Sequence, residues 1–199
     1  MRHIRLIGHI SPMRLINFSR KAMSYKNLLS YQNSAIIYDF TVEFCSHYVR
    51  MGSRTRDQME QAARSCKQNI VEGTSASRTS SKSELKLVGV ARASLDELLE
   101  DYSDYLRQHN TPEWSKDSAQ AKAVRALVYV TDKSYETYRP YMRTAEGACN
   151  AMICLINQTN YLLDKQINVL EANFIKNGGY TEKLFYNRLQ ERKKSWRRF

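Results

Sequence analysis

Residues 84–108, "ELKLVGVARASLDELLEDYSDYLRQ", decide the fold. Leu85, Val88, Arg92, Leu95, Leu99, Tyr102 and Leu106 recur at alternating intervals of three and four, which keeps them on one face of a helix and makes a seam for facing helices. Arg92 is the one charge in that seam. A charge packed there needs a partner, because stranding it costs about 3–5 kcal/mol. Ser81 and Glu84 form an S-x-x-E capping box that opens the helix by satisfying its first free amides.

Upstream, Ile37, Phe40, Phe44 and Tyr48 mark a first helix over 30–50, broken by Gly52-Ser53. A second helix runs from about Thr55 with Met59, Ala62, Ala63, Cys66 and Ile70 on one face, small residues that suit a close helix–helix approach. It closes on "CKQNIVEG", residues 66–73, with Gly73 as the stop before the polar "GTSASRTSS". If the second and third helices form a hairpin about this turn, Glu72 lies level with Leu85 and Lys86 and within a turn of Lys82, and Arg92 lies level with Ser65. The same geometry for the first hairpin places Glu43 level with residue 63, so Glu43 is the expected partner of Arg92. Asn69, Glu72 and Gly73 then read as structural residues. Glu72 is expected as a cap or ion pair rather than a general base, since no second catalytic group lies at its level.

Downstream, Asn110 ends the third helix and Thr111-Pro112 reads as an N-cap with proline at the first helical position. Ser118 caps a further helix through Val124, Leu127, Val128, Tyr135 and Tyr138, closed by Pro140. The run Tyr135, Tyr138, Tyr141 is expected to pack this insertion on the rest, with a base-stacking platform as the alternative. Thr144 caps the last long helix, with Met152, Leu155, Thr159, Leu162, Gln166 and Val169 inward, and Gly178-Gly179 stops it.

The net charge of +11 is unevenly placed. Residues 1–26 carry six cations and no acid, and residues 183–199 carry seven cations against Glu191, so the intervening chain is close to neutral. Within it, Arg50 to Arg92 holds nine cations against four acids, whereas 96–104 is acidic. The organisation expected is a basic extension over 1–26, a helical body over 27–178 with 111–143 inserted, and a basic suffix over 179–199. Arg64, Lys67, Arg78 and Lys82 are candidate nucleic-acid contacts. So are Arg188, Arg192, Lys193, Lys194, Arg197 and Arg198, with Trp196 among them, because cations neutralise phosphates and an aromatic plane stacks on a base. The acid-free first 23 residues, broken by Gly8 and Pro12, suit either an organelle-type leader or an over-extended start with Met13 or Met23 as initiator.

Four cysteines without a C-x-x-C pair read as small core residues in a reducing, cytoplasmic setting. No apolar run approaches a membrane span. There is no H-E-x-x-H, Glu-x-x-His or phosphate-binding glycine loop, so neither a metal, a cofactor nor catalysis is expected.

"NIVEG" (69–73), the polar turn and "ARASLDEL" (91–98) together resemble the 23S rRNA intervening-sequence family of four-helix-bundle proteins. That family includes the accessory variability determinants of diversity-generating retroelements. The segment after Gly178 is most similar to its four-helix-bundle suffix subgroup. The resemblance covers about residues 30–110 and 144–176, and the 111–143 insertion and basic tails depart from the shorter members. It implies an all-α, antiparallel up-down four-helix bundle, a ring-shaped homopentamer with a basic surface, and an RNA or ribonucleoprotein partner without enzymatic activity. In the retroelement members that partner is a reverse transcriptase. The rival expectation is a protein–protein assembly module with no intrinsic nucleic-acid binding.

Overall fold

The computed structural model describes residues 24–196, with side chains as far as Lys194. All regular structure among them is helical: α1 (Leu29–Tyr48), α2 (Arg54–Ala76), α3 (Ser81–Gln108), α4 (Ala119–Ala126), α5 (Tyr135–Tyr138), α6 (Ala145–Asn177) and α7 (Tyr180–Trp196), with short 3-10 turns between. The helix starts are chemically marked. Ser53, Ser80, Ser118 and Thr144 each accept a hydrogen bond from the backbone N–H three residues on, at 3.0–3.2 Å, each cap contributing roughly 1 kcal/mol.

Four long helices share one core. α2 packs on α1 and α3, and α6 packs on α3 and α1. Cross-helix contacts fix the register. Arg92 meets Asp164 and Asp96 meets Asn160, so four residues up α3 correspond to four residues down α6. Ser65 and Ser94 join hydroxyls at 2.9 Å between α2 and α3. The Cys45 thiol meets the Met59 sulfur at 4.0 Å between α1 and α2, and Asn33 donates to Thr159 at 3.2 Å between α1 and α6. Phe40, Phe44, Met59, Ile70, Leu95, Leu98, Tyr102, Met152 and Leu155 are fully buried between these helices. Across the middle, the hydroxyls of Thr41 and Tyr102 lie 3.0 Å apart, joining α1 to α3 on opposite sides of the core.

Several local expectations are corrected. α2 does not stop at Gly73 but runs three residues further, to Ala76. Gly73 is buried, and a Cβ there would lie 3.4 Å from the Leu87 Cβ, so the glycine serves a close approach to α3 rather than a turn. The cap of α3 is Ser80, not Ser81. The buried stripe of α3 is turned toward Ala91, Ser94 and Leu98, leaving Leu85, Arg92 and Leu99 at its edge. Of the inward set assigned to α6, Met152, Leu155 and Thr159 are buried, whereas Leu162, Gln166 and Val169 are only half-buried. After α3, Asn110 takes a left-handed φ of 52° while its N–H and that of Thr111 return to the carbonyls of Arg107 and Leu106, the Schellman arrangement. Pro112 opens no helix. The insertion is not one helix either: a 3-10 turn at Leu127–Tyr129 and a left-handed Asp132 (φ 56°) divide it, and Pro140 lies inside a 3-10 turn (Arg139–Arg143) instead of closing a helix.

The insertion is anchored as the tyrosine run suggests. Tyr138 is buried, Tyr135 donates to the Glu43 carboxylate, and Tyr141 packs edge-on against Trp114. The backbone N–H of Trp114 donates to the Asn150 side-chain oxygen at 2.7 Å. No described helix is long and apolar enough to cross a membrane.

Candidate nucleic-acid interface

The register determines which cations meet. Extending the Arg92–Asp164 and Asp96–Asn160 pairing places Asn177, the end of α6, beside Thr79 in the α2–α3 turn. Gly178 then turns the chain with φ 65°, and α7 starts at that level. The beginning of the described chain is there too: Ser30 donates to Gln166 at 3.3 Å, and the 3-10 turn Tyr25–Asn27 rests on α2. This pole therefore gathers exposed Arg78 from the α2–α3 turn, Lys82 and Lys86 from the first turns of α3, Lys26 from the chain entry and Lys176 from the end of α6, and the cation-rich α7 starts from it. Arg78, Lys82, Arg188, Arg192, Lys193 and Lys194 are all exposed. Arg197 and Arg198, and the side chain of Trp196, lie outside the described residues.

Arg64 and Lys67 do not join them. Arg64 is exposed on the middle of α2, about 20 Å along the axis from residue 78 at 1.5 Å per residue. The Lys67 ammonium sits 3.8 Å above the centre of the Tyr38 ring, so it is half-buried against α1 in a cation–π contact. The nine cations between Arg50 and Arg92 thus form no single surface: Arg50, Arg54 and Arg56 sit at the opposite pole, where Arg56 pairs with Glu60 at 2.9 Å.

The structural residues also regroup. Arg92 does not pair with Glu43. It binds Asp96 one turn on and Asp164 of α6 at 2.9 Å, with a quarter of its side chain exposed. The cause is azimuth rather than height: α1 and α3 lie across the core from each other, so the side chain at the edge of α3 reaches the adjacent helix. Glu43 is consumed instead by Tyr135, whose phenol is pushed up by desolvation and then by that carboxylate. Glu72 is exposed and makes no hydrogen bond or ion pair with any described residue, so neither the cap nor the Lys82 pairing forms. Asn69 folds back on α2, donating to the Ser65 carbonyl at 2.8 Å and the Ser65 hydroxyl at 3.2 Å. It thereby orients the Ser65–Ser94 bridge.

The far end of α3 is acidic. Glu97, Glu100 and Asp104 are exposed on α3, and half-buried Asp101 among them has its carboxyl raised by desolvation and by the neighbouring charges of Asp104 and Glu97. Nearby, Glu43, His47, Glu136, Arg139 and Arg143 line an open groove of about 380 Å³, but Glu43 is already engaged by Tyr135 and the His47 Nδ1 faces the Glu43 carbonyl at 2.9 Å. Among the described residues no group of three or more His, Cys, Asp or Glu side chains gathers to hold a metal ion. Burial pushes the thiols of Cys45 and Cys66 up to about 12, a poor setting for nucleophiles because the thiolate is the reactive form.

Sequence reasoning missed Lys26, Lys86 and Lys176 as members of the basic pole. Their signal was the register itself, which shows that chain entry, α2–α3 turn and α6 exit share one level. Comparison with protein families, curated proteins and solved structures gives no match.

Proposed function

We propose that this chain is a non-enzymatic helical scaffold that binds structured RNA, or a ribonucleoprotein or reverse-transcriptase-like partner, through its basic pole. The observation that carries the reading is that exposed Arg78, Lys82 and Lys86 lie at the end of the body from which the cation-rich α7 starts, whereas α3 turns acidic toward its other end. Such a pole attracts phosphates and orients an approaching polyanion, while the acidic end repels it. On this reading the long helices form an antiparallel up-down four-helix bundle, with α4 and α5 inserted between its third and fourth helices. The resemblance of "NIVEG" and "ARASLDEL" to the intervening-sequence family supports the same arrangement and a homo-oligomeric, pentameric assembly. Thiol usage fits a cytoplasmic setting.

The test is fluorescence anisotropy of a labelled structured RNA titrated with the full chain at about 50 and 200 mM salt. With five or more phosphate contacts, affinity is expected to fall by about a hundredfold or more across that range. The variant Arg78→Gln/Lys82→Gln/Lys86→Gln should weaken binding and flatten the salt dependence, whereas Arg64→Gln should do neither. Absence of binding at either salt would favour the assembly-module reading.

A further inference from the structure

One line of residues runs along the outside of α3 with its charges in a mirror pattern. Lys82, Lys86, Gly89, Ala93, Glu97, Glu100 and Asp104 lie four, three, four, four, three and four residues apart, which at about 100° per residue confines them to a sector about 80° wide. The line faces away from the buried side of the helix. All its members but Gly89 are exposed, and a Cβ on Gly89 would meet nothing within 4 Å. The spacing reads the same from either end, with Ala93 at its centre, but the charge changes sign. Lys82 and Asp104 are equidistant from Ala93, and so are Lys86 and Glu100, and Gly89 and Glu97.

Within one chain this order is unfavourable. Lys82 and Lys86 stand one turn apart, as do Glu100 and Asp104, and like charges four residues apart repel on a helix. Along this line cations come first and acids last, the reverse of what the helix macrodipole favours. Among the described residues Lys82, Lys86, Glu97 and Glu100 have no ion pair, and Asp104 pairs with Arg107 alone, at 2.7 Å.

We infer that this face docks on the same face of a second copy, the two α3 helices antiparallel about a two-fold axis at Ala93. Lys82 of each chain then meets Asp104 of the other, and Lys86 meets Glu100. Gly89 leaves room for Glu97 of the second copy, and the two Ala93 methyl groups let the helices come close. Such a contact is isologous, one surface complementary to itself. A parallel pair would instead set Lys82 against Lys82. A polyanion laid along this line would meet Glu97, Glu100 and Asp104, and a membrane would find no apolar side chain larger than alanine. The contact goes beyond the nucleic-acid reading and draws on two of its cations, so phosphates and a second copy compete for Lys82 and Lys86. In a cyclic assembly the same two-fold joins one ring to another.

The experiment is disulfide trapping in the full chain. Ala93→Cys places a thiol on the two-fold axis, and mild oxidation should give a dimer on a non-reducing gel. The native thiols are buried or half-buried, so the parent should give none. Gly89→Cys is the control: its two copies stand about 12 Å apart along the axis, beyond the roughly 7 Å that a disulfide spans, and should trap at least about tenfold more slowly. Raising salt from about 50 to about 500 mM should slow Ala93→Cys trapping, because exposed ion pairs are weak and screened. In the Ala93→Cys background, Lys82→Glu/Lys86→Glu and Glu100→Lys/Asp104→Lys should each fail to trap alone, since each sets like charges face to face. Mixed together, the two should trap as Ala93→Cys does. Ala93 and the four charged positions are exposed, so these variants should keep the helical circular dichroism of the parent. No trapping with Ala93→Cys, equal trapping with Gly89→Cys, a charge variant that traps alone, or a mixture that does not recover overturns the two-fold contact, whereas the RNA reading is decided separately by anisotropy.

Discussion

The hydroxyls of Thr41 and Tyr102 are both buried and lie 3.0 Å apart, which permits a direct test of how the helices are arranged. Thr41→Val leaves the Tyr102 hydroxyl without a partner, and Tyr102→Phe does the same to Thr41. A buried hydroxyl stranded in this way costs about 1–3 kcal/mol. Removing both leaves nothing stranded, so the double variant should be nearly as stable as the parent, and the sum of the two single losses should exceed the double loss by about 2–6 kcal/mol. Urea unfolding followed by far-UV circular dichroism, at one fixed protein concentration, measures each variant as a change in midpoint at constant slope. The two residues are 61 positions apart, so coupling of this size requires α1 and α3 to face each other across the core. Losses that add to within about 0.5 kcal/mol would mean that the hydroxyls do not meet, and the diagonal placement that separates Glu43 from Arg92 would fall with them.

Two further predictions concern local chemistry. The Asp101 carboxyl is raised by desolvation and then by Asp104 and Glu97. Its penalty is therefore absent in acid, where folded and unfolded chains both hold the proton. It grows as pH climbs through the ordinary carboxylate range and is complete above the folded value. Asp101→Asn should consequently raise the thermal midpoint near about pH 7 but not near about pH 3; a gain of equal size at both would deny the charge any role. At Gly73, alanine fits at ordinary contact distance from Leu87 and should stabilise α2 by about 0.5–1 kcal/mol, whereas leucine should cost about 1–3 kcal/mol by forcing α3 away. Thermal unfolding of the pair should show opposite signs, and a loss in both would mean that the helices approach too closely even for one methyl group.

Much of the architecture is legible in the chain because the side chains that set it act locally. The α3 seam, the Ser118 and Thr144 caps and the Gly178 stop are each decided within a few residues. Hairpin geometry even places Arg92 within two residues of its observed level on α2, as the Ser65–Ser94 bridge shows. What sequence spacing lacks is azimuth. Height alone pairs Arg92 with Glu43, but the helix adjacent to Arg92 is α6, whose Asp164 is 72 residues away. The same blindness merges the cations of Arg50–Arg92 into one patch, although α2 carries Arg54 to one pole and Arg78 to the other. Gly73 misleads for a different reason: a glycine near a helix end reads as a stop, and only the nearness of Leu87 reveals it as a point of contact. The insertion is hard to read because Asp132 adopts a left-handed backbone that its neighbours do not announce.

One consequence of the topology is mechanical. Ser24 and Gly178 leave the body at the same pole, on the adjacent helices α1 and α6. Force applied between these two points would not slide the helices past each other, which would load all their contacts at once. It would peel them apart from that pole, reaching first the Ser30–Gln166 pair, then Asn33–Thr159, and only afterwards the aromatic packing around Phe40 and Phe44. A partner that grips the helical body at these two points therefore holds the two tabs of a zipper.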